Sequence, residues 1–184
     1  MKTIKNYFLF AAVLLLVGTS CKKDWNGVRG TGAIITENRP LSGFTGVDYH
    51  LDGRVNIVHD SAFYVLVITY ANYQPLIHLH VENGKLIVDS YKSLRDDEIT
   101  LEIHMPVLES MYMAGSGRMY TSGIFSNVSL AAQMSGSGSI DYFGSVQSVN
   151  AKISGSGNIT LYGSAQSAKM TISGSGEIHA YGMP

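Results

Sequence analysis

The sequence predicts an all-β protein built as a β-solenoid, a β-helix-like coil of stacked rungs. A Ser-Gly-Ser-Gly motif, which reads Ala-Gly-Ser-Gly in its first copy, recurs four times in the C-terminal half. The copies follow one another at nearly constant spacing, and no stretch after Val28 has the period of a long amphipathic helix. A short period of this kind is typical of solenoids, because one unit can bury its apolar face only against stacked neighbours. The first glycines of the four copies are Gly115, Gly136, Gly155 and Gly174.

Residues 1–20 are predicted to be a lipoprotein signal peptide and not part of the fold. Lys2 and Lys5 form a positively charged segment, and the apolar stretch that follows them is too short to span a membrane. Small residues then lead to Cys21, the single cysteine, as in bacterial lipoproteins whose first mature residue carries the lipid. Residues 21–28 would be the acylated cysteine and a tether, and the Lys-Lys-Asp after Cys21 resembles the export tag of some outer-membrane lipoproteins. We therefore expect an outer membrane lipoprotein, on the cell surface or the periplasmic face; ordinary secretion with a chance cysteine is the alternative.

Seven short strands are predicted between the tether and the repeats, since apolar residues alternate there between clusters of turn residues. Asn83-Gly84 is a hairpin signal because both residues tolerate positive φ. Pro106 is expected to open the solenoid proper. The predicted strands span residues 31–36, 44–49, 54–59, 63–70, 76–81, 85–89 and 99–105.

Aligning the four copies produces columns of like residues, which we expect to point inward and to stack with about 4.8 Å between rungs. Each glycine pair marks a corner where the chain must turn sharply. Two columns precede the motif: Met111, Ala132, Ala151 and Met170, then Met113, Met134, Ile153 and Ile172. Two columns follow it: Met119, Ile140, Ile159 and Ile178, then Ser122, Phe143, Tyr162 and Tyr181.

Composition bounds the function further. Of the 184 residues, 15% are charged, and the formal net charge of −1 leaves no case for binding nucleic acid by charge. With Cys21 carrying lipid, no thiol remains for a disulfide, a metal site or a nucleophile. Residues 29–184 have the size of a single domain, and no cofactor is expected.

Three segments together resemble a bacterial family described as putative auto-transporter adhesin, head GIN domain. They are the opening GTGAIITENRPLSGF at 30–44, the pair VENGKLIV at 81–88 and IHMP at 103–106, and the repeated Ser-Gly-Ser-Gly with Ile or Met. The resemblance covers residues 29–183 and implies a right-handed, mostly β solenoid on a secreted or lipid-anchored protein, with no catalytic residues to transfer. The chain stops at residues 181–184, where further strand material is expected over the last rung. An uncovered rung is an open sheet edge, so we expect either homo-oligomerisation or a slightly short member of the family.

One metal site can be drawn from the sequence. His78 and His80 lie two residues apart, so on a strand they share a face with Glu82, and two imidazoles with a carboxylate are a familiar metal shell. The alternative is a half-exposed strand with Ile77, Leu79 and Val81 inward. The remaining histidines are scattered, and we expect them on the surface.

A carbohydrate-processing β-helix enzyme is the alternative function. Such an enzyme needs carboxylates that converge on one face, whereas Asp141 and Glu177 fall in different columns two rungs apart. Tyrosines beside Ser and Asn instead suit a glycan or protein ligand, and the candidates are Tyr112, Tyr120 and Tyr142. The sequence thus predicts a non-enzymatic, lipid-anchored module for binding, adhesion or structure at the cell envelope, held to the membrane by its lipid.

Overall fold

The structure, a computed structural model, describes residues 27–183 and forms 13 β-strands and no helix within them. The predicted signal peptide, Cys21 and the tether up to residue 26 lie outside the described residues. No helix in the described part is long and apolar enough to cross a membrane. The strands are β1 (Ile34–Arg39), β2 (Gly46–Tyr49), β3 (Arg54–His59), β4 (Tyr64–Tyr70), β5 (Ile77–Glu82), β6 (Lys85–Ser90), β7 (Ile99–Met105), β8 (Ser110–Met113), β9 (Arg118–Ser122), β10 (Phe125–Met134), β11 (Ser139–Ile153), β12 (Asn158–Ile172) and β13 (Glu177–Tyr181).

All 13 strands belong to one sheet of mixed orientation, in which the repeats stack in parallel. Strands β11 and β12 pair in a constant register, from Ser139 opposite Asn158 to Ile153 opposite Ile172. Strands β8 and β9 pair with β10 and β11 in the same manner, for example Ser110 with Ala131. In each case a residue lies opposite its counterpart in the next copy of the motif, so successive copies lie directly over one another.

The prediction that the parallel stack begins at Pro106 is wrong. Strands β2 and β3 already pair in parallel with β8 and β9, so that residues 46–49 lie opposite 110–113 and residues 54–58 opposite 118–122. Strands β6 and β7 pair in parallel with the other edges of β2 and β3. The chain thus fills the rungs out of sequence order, which no fixed period in the sequence could indicate.

The two ends of the stack differ. At one end antiparallel strands cover the outermost rung, since β5 pairs with β6, β4 with β7, and β1 with β4. The β5–β6 turn follows its sequence signal, with φ of 50° at Asn83 and 73° at Gly84. At the other end β13 pairs with residues 158–162 of β12. Residues 163–172 of β12 have strand partners in β11 alone among the described residues.

Three of the predicted columns line the core. Their members in the first three copies are buried, whereas in the last copy Met170 is 39% and Ile172 47% exposed. The fourth column is a correction, because Phe143, Tyr162 and Tyr181 point outward and are 43%, 36% and 54% exposed. In a strand, neighbouring side chains alternate between faces, and the fully buried Tyr142 already occupies the inward position beside Phe143.

Candidate functional site

The outward-facing residues of β3, β9, β11, β12 and β13 form one continuous polar surface, which we call the repeat face. Parallel registers align these residues in rows that cross the strands. One row, next to the Ser-Gly-Ser-Gly turns, contains Arg54, Arg118, Ser139, Asn158 and Glu177. The next row contains Asn56, Tyr120, Asp141, Thr160 and His179.

An aromatic ladder forms the third row of the repeat face. The rings of Phe143 and Tyr162 stack with centroids 4.5 Å apart and planes 9° apart. Tyr162 and Tyr181 follow at 5.2 Å and 14°. The stacking predicted for these residues is confirmed, on the outer face and not in the core. The partly exposed ladder offers flat rings directly beside hydroxyl, amide and carboxylate groups.

Arg118 organises the middle of the repeat face. Its Nε and one terminal nitrogen lie 2.9 and 2.7 Å from the same oxygen of Asp141, on the next rung. The guanidinium carbon also lies 5.6 Å from the ring centroid of Tyr120, within the range of a cation–π contact. The Asp141 carboxylate is therefore paired with a cation.

A polar groove of about 780 Å³ runs along the Ser-Gly-Ser-Gly turns at the edge of the repeat face. Stacked turns form one wall, with the middle serines Ser116, Ser137 and Ser156 one above another. Charged residues from the loops before β3 and β7 also contribute, including Arg95 and Asp97. The other charged and amide side chains of the groove are Asp52, Arg54, Glu98, Arg118 and Asn158.

Glycine is required in these turns by close packing between rungs. A Cβ on Gly136 would overlap the backbone oxygen of Gly115 in the rung before it. The Ser156 and Gly157 amides of the next rung each donate to the Gly136 oxygen at 3.2 Å. At the first rung the Asp52 side chain replaces the backbone oxygen as acceptor, since its Oδ1 accepts a hydrogen bond of 2.7 Å from the Ser116 amide. The groove wall is thus a stiff, hydrogen-bonded ladder.

The three candidate tyrosines do not come together. Tyr120 lies on the repeat face, whereas Tyr112 lies on β8, where its hydroxyl is 2.8 Å from the Ser135 hydroxyl and its ring contacts His50. Tyr142 is fully buried, so the expectation of an exposed ring there is corrected. Burial raises the pKa of Tyr142 to about 12. Sequence reasoning missed the groove, although the recurrent serines between glycines were a signal for it.

The expectation that His104 lies on the surface is also corrected, because this residue is buried. Strand β4 places Tyr64 opposite it, and the two rings stack with centroids 3.7 Å apart. Nδ1 of His104 is 2.9 Å from Asp60 and Nε2 is 2.8 Å from Glu102, so both ring nitrogens face carboxylates. The hydrogen bond from His104 is the main cause that lowers the pKa of Asp60. This cluster lies at the covered end of the stack, where it ties the loop before β4 to β7.

His78 and His80 share the outer face of β5 as expected. The carboxylate closest to His78 is Asp89, at 3.2 Å from Nδ1, while Glu82 lies 3.8 Å from Nε2 of His80. Of the inward residues expected on this strand, Ile77 is buried, Leu79 is half-buried and Val81 is exposed.

Comparisons with known proteins agree with this architecture. A family model described as putative auto-transporter adhesin, head GIN domain, matches residues 43–184. A solved structure of a putative adhesin from Bacteroides fragilis superposes with a TM-score of 0.54 at 14% identity, over 84% of this chain and 100% of that one. A putative adhesin from Parabacteroides merdae does so with a TM-score of 0.51 at 13% identity, over 83% and 98%. At these identities the likeness concerns the fold. Among curated proteins none matches.

Proposed function

We propose that this chain, which belongs to the putative auto-transporter adhesin, head GIN domain family, is a non-enzymatic binding module of the cell envelope. Its ligand is a glycan or another hydroxyl-rich chain that lies in the groove along the stacked Ser-Gly-Ser-Gly turns. The single observation that carries this proposal is the alignment of Ser116, Ser137 and Ser156 along one groove wall. We also propose that the chain winds as a right-handed solenoid, as the family resemblance implied.

The chemistry of the groove supports a ligand of this kind. Hydroxyl groups repeat there at the spacing of the rungs, about 4.8 Å, and an extended polymer can contact several of them in turn. Serine hydroxyls both donate and accept hydrogen bonds, as sugar hydroxyls do. Arginine and carboxylate side chains on the groove add charged donors and acceptors without a large excess of either sign. The aromatic ladder lies two rows farther along the same face and offers apolar faces on which sugar rings stack.

A printed array of neutral and acidic oligosaccharides, probed with the soluble chain from residue 22, tests this function. We expect selective binding that a triple variant, S116A/S137A/S156A, reduces at least tenfold. The matched control is S145A/S164A. It removes two exposed serine hydroxyls that do not line the groove and that form a 3.0 Å hydrogen bond with each other. Binding that survives the triple variant would contradict the location of the site. Binding to none of the sugars would contradict the ligand class.

The membrane anchor is a second part of the proposal. Cys21 carries the lipid, and several acyl chains hold the protein permanently at a membrane surface, because each buried CH₂ contributes about 0.8 kcal/mol. Metabolic labelling with an alkyne fatty acid should mark the wild-type protein and not the C21A variant. An unlabelled wild-type protein in the culture medium would favour ordinary secretion.

The open end of the stack supports self-association with a second copy. Residues 163–172 of β12 expose both their outer edge and their inward side chains Met170 and Ile172. If two copies pair antiparallel about a two-fold axis, Gly163 meets Ile172 and Ala165 meets Met170. Small residues then lie opposite large ones, and the two cores become continuous, which is the self-complementarity that a two-fold interface requires. Two linked copies would also bind a repetitive ligand with higher avidity.

A further inference from the structure

The β5–β6 hairpin brings three metal-binding side chains to one outer surface, away from the groove and the repeat face. The antiparallel register places His78 directly opposite Asp89. His80 lies two residues along β5 and therefore on the same side of the sheet as His78. The hairpin turn fixes this register, because both of its central residues have positive φ.

The distances between these three groups fit a metal shell. One ligand atom from each of His78, His80 and Asp89 lies within 4.8 Å of the others. The closest pair, His78 Nδ1 and Asp89 Oδ1, is 3.2 Å apart. Ligands bound tetrahedrally to zinc at about 2.0–2.2 Å are roughly 3.4 Å from one another. Small side-chain rotations would therefore bring all three atoms to bonding distance.

His80 is held in a way that suits a ligand. Its Nδ1 is shielded from solvent and has no hydrogen-bond partner among the described residues. Leaving such an atom unpaired costs free energy, which a bond to a metal would recover. The ring stacks on His78 with centroids 4.7 Å apart, and Glu82 lies 3.8 Å from its other nitrogen. A small side-chain movement would let Glu82 accept a hydrogen bond from that nitrogen, which is the usual support of a metal-bound histidine.

We propose that His78, His80 and Asp89 bind a late first-row divalent transition metal, for which Zn²⁺ is the probe. Two imidazole nitrogens and one carboxylate suit zinc, nickel or copper, whereas Mg²⁺ and Ca²⁺ prefer shells made of oxygen atoms. Each of the three side chains is partly exposed, so the ion enters from solvent and water completes its shell.

The metal fastens β5, the outermost strand on this side of the covered end, to β6. Strand β5 has a strand partner in β6 alone among the described residues. A metal that bridges β5 and β6 binds the folded hairpin and not the unfolded chain, so it raises the stability of the fold. This role is independent of the ligand proposed for the groove.

Isothermal titration of the tag-free chain from residue 22 with ZnCl₂ tests the site. We expect one ion per chain, and a loss of affinity of at least tenfold in each of H78A, H80A and D89N. The H179A variant is the matched control, because His179 also lies 3.0 Å from a carboxylate two residues away, on Glu177, yet belongs to no three-ligand cluster among the described residues. It should bind zinc like the wild type, and MgCl₂ should produce no binding heat.

A thermal melt keeps the test decisive if a variant is less stable on its own account. ZnCl₂ at a concentration that just saturates the wild type should raise the Tm of the wild type and of H179A, and should raise the Tm of D89N by clearly less, each relative to its own metal-free melt. Absence of zinc binding to the wild type would overturn the proposal. Binding that persists at full affinity in both histidine variants would overturn it equally.

Discussion

Replacing Gly136 by alanine is the sharpest test of how closely the rungs pack. The new Cβ would overlap the Gly115 oxygen and lie 2.8 Å from the Ala114 oxygen, against 3.4 Å for an ordinary contact. Since both atoms belong to the backbone, the rungs must separate by about 0.6 Å or more. That movement lengthens the bonds that cross the same gap, from the Ser135 amide to the Met113 oxygen and from the Ser139 amide to the Gly117 oxygen, each 3.0 Å long.

The cost follows from these bonds. At about 1 kcal/mol for each of the two weakened backbone hydrogen bonds, G136A should lower the free energy of unfolding by about 2 kcal/mol. For a chain of this length the Tm should then fall by roughly 4–8 °C. Circular dichroism in the β-sheet band, followed during heating, measures this fall.

The control for G136A is G43A. Gly43 has a φ of 78° with open space around it, so alanine there tests backbone strain without steric overlap. Its cost should be about 1 kcal/mol. If G136A were no less stable than G43A, the rungs would not be stacked as closely as described, and the account of the glycines as packing residues would fail.

Three further predictions concern other parts of the molecule. The low pKa of Asp60 contributes stability above the unfolded pKa of about 3.9, and this stability is lost as the pH falls through the lower folded pKa. Urea melts should therefore find D60N less stable than wild type at pH 5, and the difference should shrink as the pH falls below about 3.9. Y162A removes both ring stacks of the ladder and should lower the free energy of unfolding by about 1–2 kcal/mol in the same urea melts, whereas an unchanged unfolding midpoint would mean that the ladder contributes nothing. Light scattering on a size-exclusion column should find the soluble wild type dimeric and I172K monomeric, and a monomeric wild type would contradict the two-fold pairing.

The repeated half of the fold could be predicted from the sequence because the length of the repeat along the chain equals the offset between paired residues in neighbouring strands. The step along the chain from Gly136 to Gly155 is also the step that separates paired residues of β11 and β12. The hairpin at Asn83-Gly84 was equally readable, since its signal is local. Strand β7 was predicted with the bounds that it has. The sequence was sufficient to predict the position of a residue where that position depends on its neighbours in the chain or on the repeat.

Contacts between distant segments could not be predicted in this way. The burial of His104 depends on Tyr64, which reaches it only because β4 turns back antiparallel on β7. The third ligand near His78 is Asp89 and not Glu82, since the opposite strand contributes it. The outward direction of Phe143 was misjudged although the strand period indicates it, because Phe143 lies three residues after the inward Ile140 and an odd step changes the face. Each error concerns either a pairing between distant segments or the face of the strand on which a residue lies. A single column of the repeat indicates neither.

The two ends of the stack have different surroundings if Cys21 carries a lipid. Val28 enters the fold by pairing with Leu94, in the loop between β6 and β7, and so begins at the covered end. The tether from Cys21 to Val28 spans about 25 Å at most when extended, which keeps that end near the membrane. Five steps of about 4.8 Å separate the first rung from β13, so the open edge lies roughly 24 Å farther along the stack. A module anchored in this way directs its uncovered strand away from the membrane, where a second copy can reach it, and runs its serine groove along the same axis.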